Sequence, residues 1–222
     1  MFLMLPVNSA AFADEEIFSE EQLSYYRNLG LQGQTVNVYN WGEYISDGAE
    51  DSMNVIGEFE RLTGAKVNYT NYESNENMYS KLSGGGVSYD VIVPSDYMIG
   101  RLIDEDMLAE INWENVPNIE YIEDQFKNLY FDPQQKYSLC FNVGTTALIY
   151  NKQLVSETPE SWKVLWDEQY KDKILMFNNS RDAFAIAQAL LGQSFNTTSE
   201  ADWNQAAELL ARQKDAVSPV YV

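Results

Sequence analysis

Trp41, Glu43 and Tyr44 follow directly on the run Val36-Asn37-Val38-Tyr39-Asn40. Alternation of apolar and polar residues is the period of a strand, so these three side chains leave a strand at its carboxyl end. Two further predicted exits have a similar make-up. Ser95, Asp96 and Tyr97 follow the strand-like Tyr89-Asp90-Val91-Ile92-Val93, and Asn178-Asn179-Ser180-Arg181-Asp182 follows Lys173 to Phe177. Ligands of open α/β sheets sit outside such exits. A carboxylate desolvated beside aromatic faces suits a cation, because the rings attract ammonium groups and cover methylenes. A flexible, multiply charged amine needs acids at intervals with aromatics between them. The alternative for the same residues is structural: Trp41 and Tyr97 as core, and the acids as helix caps.

Other chemistries fit less well. Gly84-Gly85-Gly86 ends a helical stretch and precedes a strand, whereas phosphate-cradling glycines follow a strand and open a helix; it reads as a loop. Glu43, Asp96 and Asp182 could supply the two acids of a glycoside hydrolase, but their separation is not written in the sequence. Asp104, Glu105, Asp106 and Glu110 form a charge run of the kind that faces solvent. The chain has no histidine and one cysteine, Cys140. Ser–His and Cys–His nucleophile systems, His-containing zinc sites and intramolecular disulfides are therefore excluded. No catalytic residue, metal site or cofactor is expected.

The net charge of −20, from 34 acids against 14 bases, argues against nucleic acid as a partner, because phosphate binding needs clustered Lys and Arg. The same field favours cationic ligands, although it also serves solubility. Fifteen tyrosines and five tryptophans suit sites that are partly wet and partly apolar. Residues 1–13, MFLMLPVNSAAFA, are apolar, too short to span a bilayer, and end in Ala11-Phe12-Ala13; this is the hydrophobic segment and cleavage pattern of a secretory signal peptide without its basic start. Residues 14–34 read as a surface leader with a short amphipathic piece, Glu20 to Leu29. No other stretch approaches the length of a membrane span.

The elements that must position the exits follow in order. A strand over Val36 to Trp41 leads to a helix capped by Ser46 or Asp47, running to about Leu62 and stopped by Gly64. A second strand, Lys66 to Tyr72, precedes a helix capped by Ser74 or Asn75. The third strand, Tyr89 to Val93, leads into a helix through Ile99, Leu102 and Ile103. This alternation predicts right-handed βαβ units and a parallel sheet. Tyr137 to Tyr150 reads as a long β-rich stretch passing between two lobes. A second α/β unit follows, with a helical Pro159 to Trp166, a strand at Lys173 to Phe177, helices at Ser180 to Leu191 and Ala201 to Arg212, and a last strand from Val217. The expected division is lobe 1 over 35–144 and lobe 2 over 145–222.

At these residues the sequence resembles the spermidine/putrescine-binding proteins of polyamine ABC transporters. The resemblance rests on Tyr39-Asn40-Trp41-Gly42-Glu43-Tyr44, Tyr72-Glu73-Ser74-Asn75-Glu76, Tyr89-Asp90-Val91-Ile92-Val93-Pro94-Ser95, Gly144-Thr145-Thr146-Ala147 and Ser161-Trp162 with Leu165-Trp166. It implies a two-lobed periplasmic-binding fold of type II-like α/β architecture that closes over its ligand. It further implies a monomeric receptor, periplasmic or at the cell surface, that captures a polyamine and delivers it to a membrane permease. Trp41, Glu43 and Tyr44 would lie in the cleft, joined by Ser95 and Tyr97, with Glu43 holding one amine and Asp182 another. Where the family often has an acid, two residues and a second acid, this chain has Asn179 and Asp182. Where it often has a hydroxyl after the tryptophan, this chain has Gly42. Both departures bear on the choice between spermidine and putrescine.

The family's chain also returns from lobe two to lobe one with further cleft residues. The present sequence is expected to be C-terminally truncated before that return and to bind polyamines weakly or not at all by itself. A receptor for another organic cation with the same fold, and a secreted carboxylate-dependent glycoside hydrolase, are the rival expectations.

Overall fold

The computed structural model describes residues 18–49 and 52–221. The expected signal segment, residues 1–13, lies outside them. Between Phe141 and Asn142 the chain divides into two compact units, each of which has its own core.

The first unit is built on a parallel three-stranded sheet. Strand β1 (Thr35–Trp41) lies between β2 (Lys66–Tyr72) and β3 (Val91–Ile92). The register pairs Val36 with Val67, Tyr39 with Thr70, and Trp41 with Tyr72. Helix α1 (Glu20–Arg27) precedes the sheet and starts in a capping box between Ser19 and Gln22. Helices α2 (Val55–Thr63), α3 (Asn75–Ser83) and α4 (Asp96–Asp104) make the connections. Gly64 ends α2 in the left-handed region at φ 71°, as its residue type predicts. The core joins Tyr39, Tyr72, Met78, Met98 and Leu102, all buried, so β1, β2, α3 and α4 meet in one apolar cluster.

Three sequence expectations change in this unit and across its boundary with the second. Helix α2 begins at Val55, capped by the Asn54 side chain accepting from Gly57 N at 2.8 Å, and not at Ser46 or Asp47. Asp47 is held in a turn by Ala49 N and pairs with Asn54 in an isolated antiparallel bridge, which delays the helix. Strand β3 keeps only two of its five expected residues, because Asp90 turns its carboxylate onto Asn37 N at 2.7 Å and Pro94 offers no donor. Tyr137 to Tyr150 forms no strand. A strand requires a partner backbone, and none pairs with this segment among the described residues; Phe141, Val143 and Ile149 are exposed there.

The second unit pairs β4 (Leu175–Met176) in parallel with β5 (Val220–Tyr221). Helices α5 (Ser180–Leu191) and α6 (Glu200–Val217) cover the core of Leu165, Ile174, Met176, Ala183, Ile186 and Val217. The expected helix at Pro159 to Trp166 is a short 3-10 turn, Trp162–Trp166. It is tied to α6 by Trp166 Nε1 donating to the Leu209 carbonyl at 2.9 Å and by buried Gln213 donating to the Leu165 carbonyl at 2.9 Å.

Candidate functional site

The register of β1 on β2 sets the site in the first unit. Because Trp41 lies opposite Tyr72, the two strands release their next residues side by side. Trp41, Gly42, Glu43 and Tyr44 from β1, and Asn71, Tyr72 and Glu73 from β2, line one open pocket of about 450 Å³. Three aromatic rings and two carboxylates converge there. The Trp41 ring lies 4.7 Å from that of Tyr72 and 5.9 Å from that of Tyr44. Tyr72 in turn meets Tyr39 edge-on at 4.9 Å, which roots the aromatic wall in the core. The Tyr72 hydroxyl donates to the Val93 carbonyl, and burial, reinforced by the neighbouring Tyr44, Tyr39 and Tyr97, pushes it well above an ordinary tyrosine in pKa. It is a neutral strut at any physiological pH.

Around this pocket the polar chemistry is one-sided. Glu43 and Glu73 are exposed carboxylates at its rim, and the wall is apolar ring surface. Such a site can hold an ammonium group against carboxylate oxygens while its methylenes lie on the rings. Among the described residues no group of three or more His, Cys, Asp and Glu side chains could hold a metal ion.

Ser95 and Tyr97 stand at the start of α4, where β3 ends. The structure ties both to α3. Asn75, 1% exposed, donates through Nδ2 to Ser95 Oγ at 3.0 Å and to Tyr97 Oη at 3.1 Å, and its Oδ1 accepts from Ser95 N at 3.1 Å. Tyr97 Oη donates to Glu76 Oε1 at 2.9 Å.

In the second unit, Asn179 and Asp182 sit at the start of α5. Asn179 is the helix cap, its Oδ1 accepting from Arg181 N at 2.9 Å. Asp182 differs. It lies in the first turn, half-buried, and burial alone raises its pKa above the ordinary aspartate value. A carboxylate desolvated in this way gains from any cation brought beside it.

Trp41, Glu43 and Tyr44 are thus gathered in one pocket; Ser95 and Tyr97 belong to the hydrogen-bonded cluster at the neighbouring exit; Asn179 and Asp182 belong to the other unit. Sequence reasoning missed Tyr72 and Glu73 as pocket walls, and Asn75 as the residue that holds Ser95 and Tyr97. The missed signal was available in part, since Tyr72-Glu73 is itself the exit of a predicted strand.

This fold and these exits define a solute-binding protein, and the comparison with known families agrees. The chain belongs to the bacterial extracellular solute-binding proteins, whose family model matches residues 54–221. The spermidine/putrescine-binding periplasmic protein of Escherichia coli K12 is 35% identical over 182 residues, which cover 79% of this chain and 51% of that protein. A structure from Listeria monocytogenes assigned to a spermidine/putrescine ABC transporter is similar with a TM-score of 0.77 and 33% identity, over 85% of this chain and 57% of that one. The substrate-binding protein of the spermidine/putrescine ABC transporter of Streptococcus pneumoniae matches over the same shares, with a TM-score of 0.67 and 33% identity. The fold is that of periplasmic-binding proteins. The chain spans about half the length of the curated relatives it matches. Solute binding outside the cytoplasm is the business of the family, and the hydrolase expectation gains no support from it.

Proposed function

We propose that this chain carries part of the binding site of an extracytoplasmic receptor for a polyamine, putrescine or spermidine, and that the receptor serves the permease of an ABC transporter without catalysing a reaction. The observation that carries this reading is the pocket at the ends of β1 and β2, which Trp41, Tyr44 and Tyr72 line together with Glu43 and Glu73. Glu43 holds one ammonium group and the rings hold the adjoining methylenes. Ser95 and Tyr97 add polar contacts from the third exit. In the other unit, Asp182 is a second candidate carboxylate for an amine, and at Asn179 a further acid would strengthen the hold on charge. The named relatives bind spermidine and putrescine, which agrees with a site of spaced acids and aromatic faces.

The test is a titration followed by tryptophan fluorescence, since Trp41 forms the wall. The 222-residue chain is titrated with putrescine, spermidine, choline and the uncharged analogue 1,4-butanediol at constant ionic strength. A saturable response to putrescine or spermidine is expected, with weak affinity on the order of millimolar. It is lost in Glu43→Gln and absent with the diol. Equal responses to diamine and diol would remove the charge argument. A preference for choline would assign the pocket to a different organic cation.

A further inference from the structure

We infer that Asn75 is the positioning residue of the polyamine site, the single buried amide that sets Ser95 and Tyr97 in their binding orientation. The inference rests on the amine reading above. Asn75 is the first residue of α3, preceded by the cap Ser74, whose hydroxyl accepts from Asn77 N at 3.1 Å. Its own side chain is therefore not needed to cap its helix and points at the neighbouring exit. There it satisfies both of its N–H donors and its carbonyl: Nδ2 to Ser95 Oγ and Tyr97 Oη, and Oδ1 from Ser95 N. An amide offers two donors and an acceptor on one rigid plane, so one side chain fixes three groups at once.

The effect on Ser95 is specific. Ser95 occupies the N-cap position of α4, yet its hydroxyl makes no capping bond. A serine there ordinarily turns its oxygen onto the first turn of its own helix. Asn75 holds that oxygen instead, so the hydroxyl is kept off the helix. Tyr97 is arranged with it. By donating to Tyr97 Oη, the Asn75 amide leaves the phenolic hydrogen to Glu76, so one amide fixes the orientation of both side chains.

Burial of the amide makes the arrangement stiff, because an unpaired polar group at 1% exposure is costly. Among the described residues Asn75 makes no hydrogen bond to Trp41, Glu43 or Tyr44, and so acts through Ser95 and Tyr97.

Asn75→Asp separates positioning from simple charge. The substitution keeps the shape and adds a negative charge near the site, which by charge alone would strengthen amine binding. It also replaces both N–H donors with an acceptor, so Ser95 and Tyr97 must turn their hydrogens toward it. The expected result is a loss of putrescine and spermidine affinity of about tenfold, the scale of a lost hydrogen-bonded orientation. Protection of the Ser95 amide against hydrogen exchange is retained, since the carboxylate still accepts from it. In Asn75→Ala both affinity and Ser95 protection fall. The Ser95→Ala, Tyr97→Phe double variant leaves the amide in place and reproduces the affinity loss; added to it, Asn75→Asp weakens binding no further. Thermal unfolding is followed throughout, and the double variant carries the test should Asn75→Ala not fold. Tighter amine binding by Asn75→Asp, or unchanged Ser95 protection in Asn75→Ala, overturns the inference. A parent chain that prefers choline, or that responds equally to diamine and diol, overturns the polyamine reading, whereas Ser95 protection lost in Asn75→Ala supports the positioning in that case as well.

Discussion

On the proposed polyamine reading, Asp182 links stability to binding in one carboxylate. Among the described residues no hydrogen bond or ion pair to its side chain offsets its burial, and its pKa is raised by desolvation above the ordinary value of 3.8. Below the unfolded-state value both states are protonated and no penalty exists. As the pH rises through the unfolded and then the folded value, the folded state holds its proton longer, so ionisation subtracts from stability and the full penalty stands at neutral pH. Asp182→Asn is therefore expected to melt at pH 7 no lower than the parent, with any advantage vanishing below about pH 4. The same substitution should weaken polyamine binding by about tenfold or more, since a charge-assisted hydrogen bond is replaced by a neutral one. Calorimetric scans at pH 7 and at about pH 3.5, paired with titrations at pH 7, check both halves. A clear drop in melting temperature at pH 7 would mean that Asp182 is a structural helix acid and not a desolvated one. Such a trade of stability for binding is common where sites hold unpaired charge.

At the scale of elements, short connections decide where side chains arrive. The turn from α2 into β2 passes through Gly64 at φ 71°, where an added Cβ would also meet Gln32 Cγ at 3.1 Å. Gly64→Ala is expected to cost about 1 kcal/mol, the penalty of a left-handed alanine, read as a lower urea midpoint with unchanged slope. A second connection is clipped by Asp132, 4% exposed, whose carboxylate accepts from Lys136 N, Tyr137 N, Ser138 N and Ser138 Oγ at 2.9–3.0 Å. Burial works against its ionised form, but the hydrogen bonds from Tyr137, Lys136 and Ser138 together outweigh it and hold the pKa below 3.8. This contribution is present above the unfolded-state value and is lost as the pH falls through the folded one. Asp132→Asn, which cannot accept at both positions, should cost about 1–3 kcal/mol at pH 7 and less in acid, a convergence that urea titrations at pH 7 and about pH 3 would reveal. The same elements show what could be read from sequence. Strands β1 and β2 and helix α5 were legible because alternation, caps and end glycines are local signals. The start of α2 was not, because Asp47 and Asn54 are both good caps and only the bridge between them selects Asn54. The apolar run of Tyr137 to Tyr150 predicted a strand, but a strand is decided by its partner. Trp41, Glu43 and Tyr44 were legible as a strand exit. Glu73 became part of the pocket only through the register of β2 on β1, and Asn75 only through bonds to residues 20 and 22 positions away.

For the molecule as a whole the dominant fact is charge: 34 acids and 14 bases on 222 residues. At low ionic strength these acids repel one another over tens of ångströms, which opposes the compact state, and the same field draws cations toward the chain. Salt acts on both effects at once. Raising sodium chloride from about 10 mM to about 150 mM shortens the screening distance from roughly 30 Å to roughly 8 Å. The melting temperature is expected to rise over that range, because relief of self-repulsion outweighs surface ion pairs such as Arg61–Glu58, Arg101–Glu105, Lys127–Asp124 and Lys136–Glu110 among the described residues, each worth at most about 1 kcal/mol. Over the same range the association rate of putrescine and spermidine should fall, and more steeply for spermidine, because a ligand of higher charge feels the lost field more strongly. Melting curves and stopped-flow fluorescence at matched salt concentrations test the pair. A melting temperature that falls with salt would show that specific ion pairs, and not the net field, govern stability. An amine association rate that ignores salt would show that the acids beyond Glu43 and Glu73 take no part in drawing the ligand in.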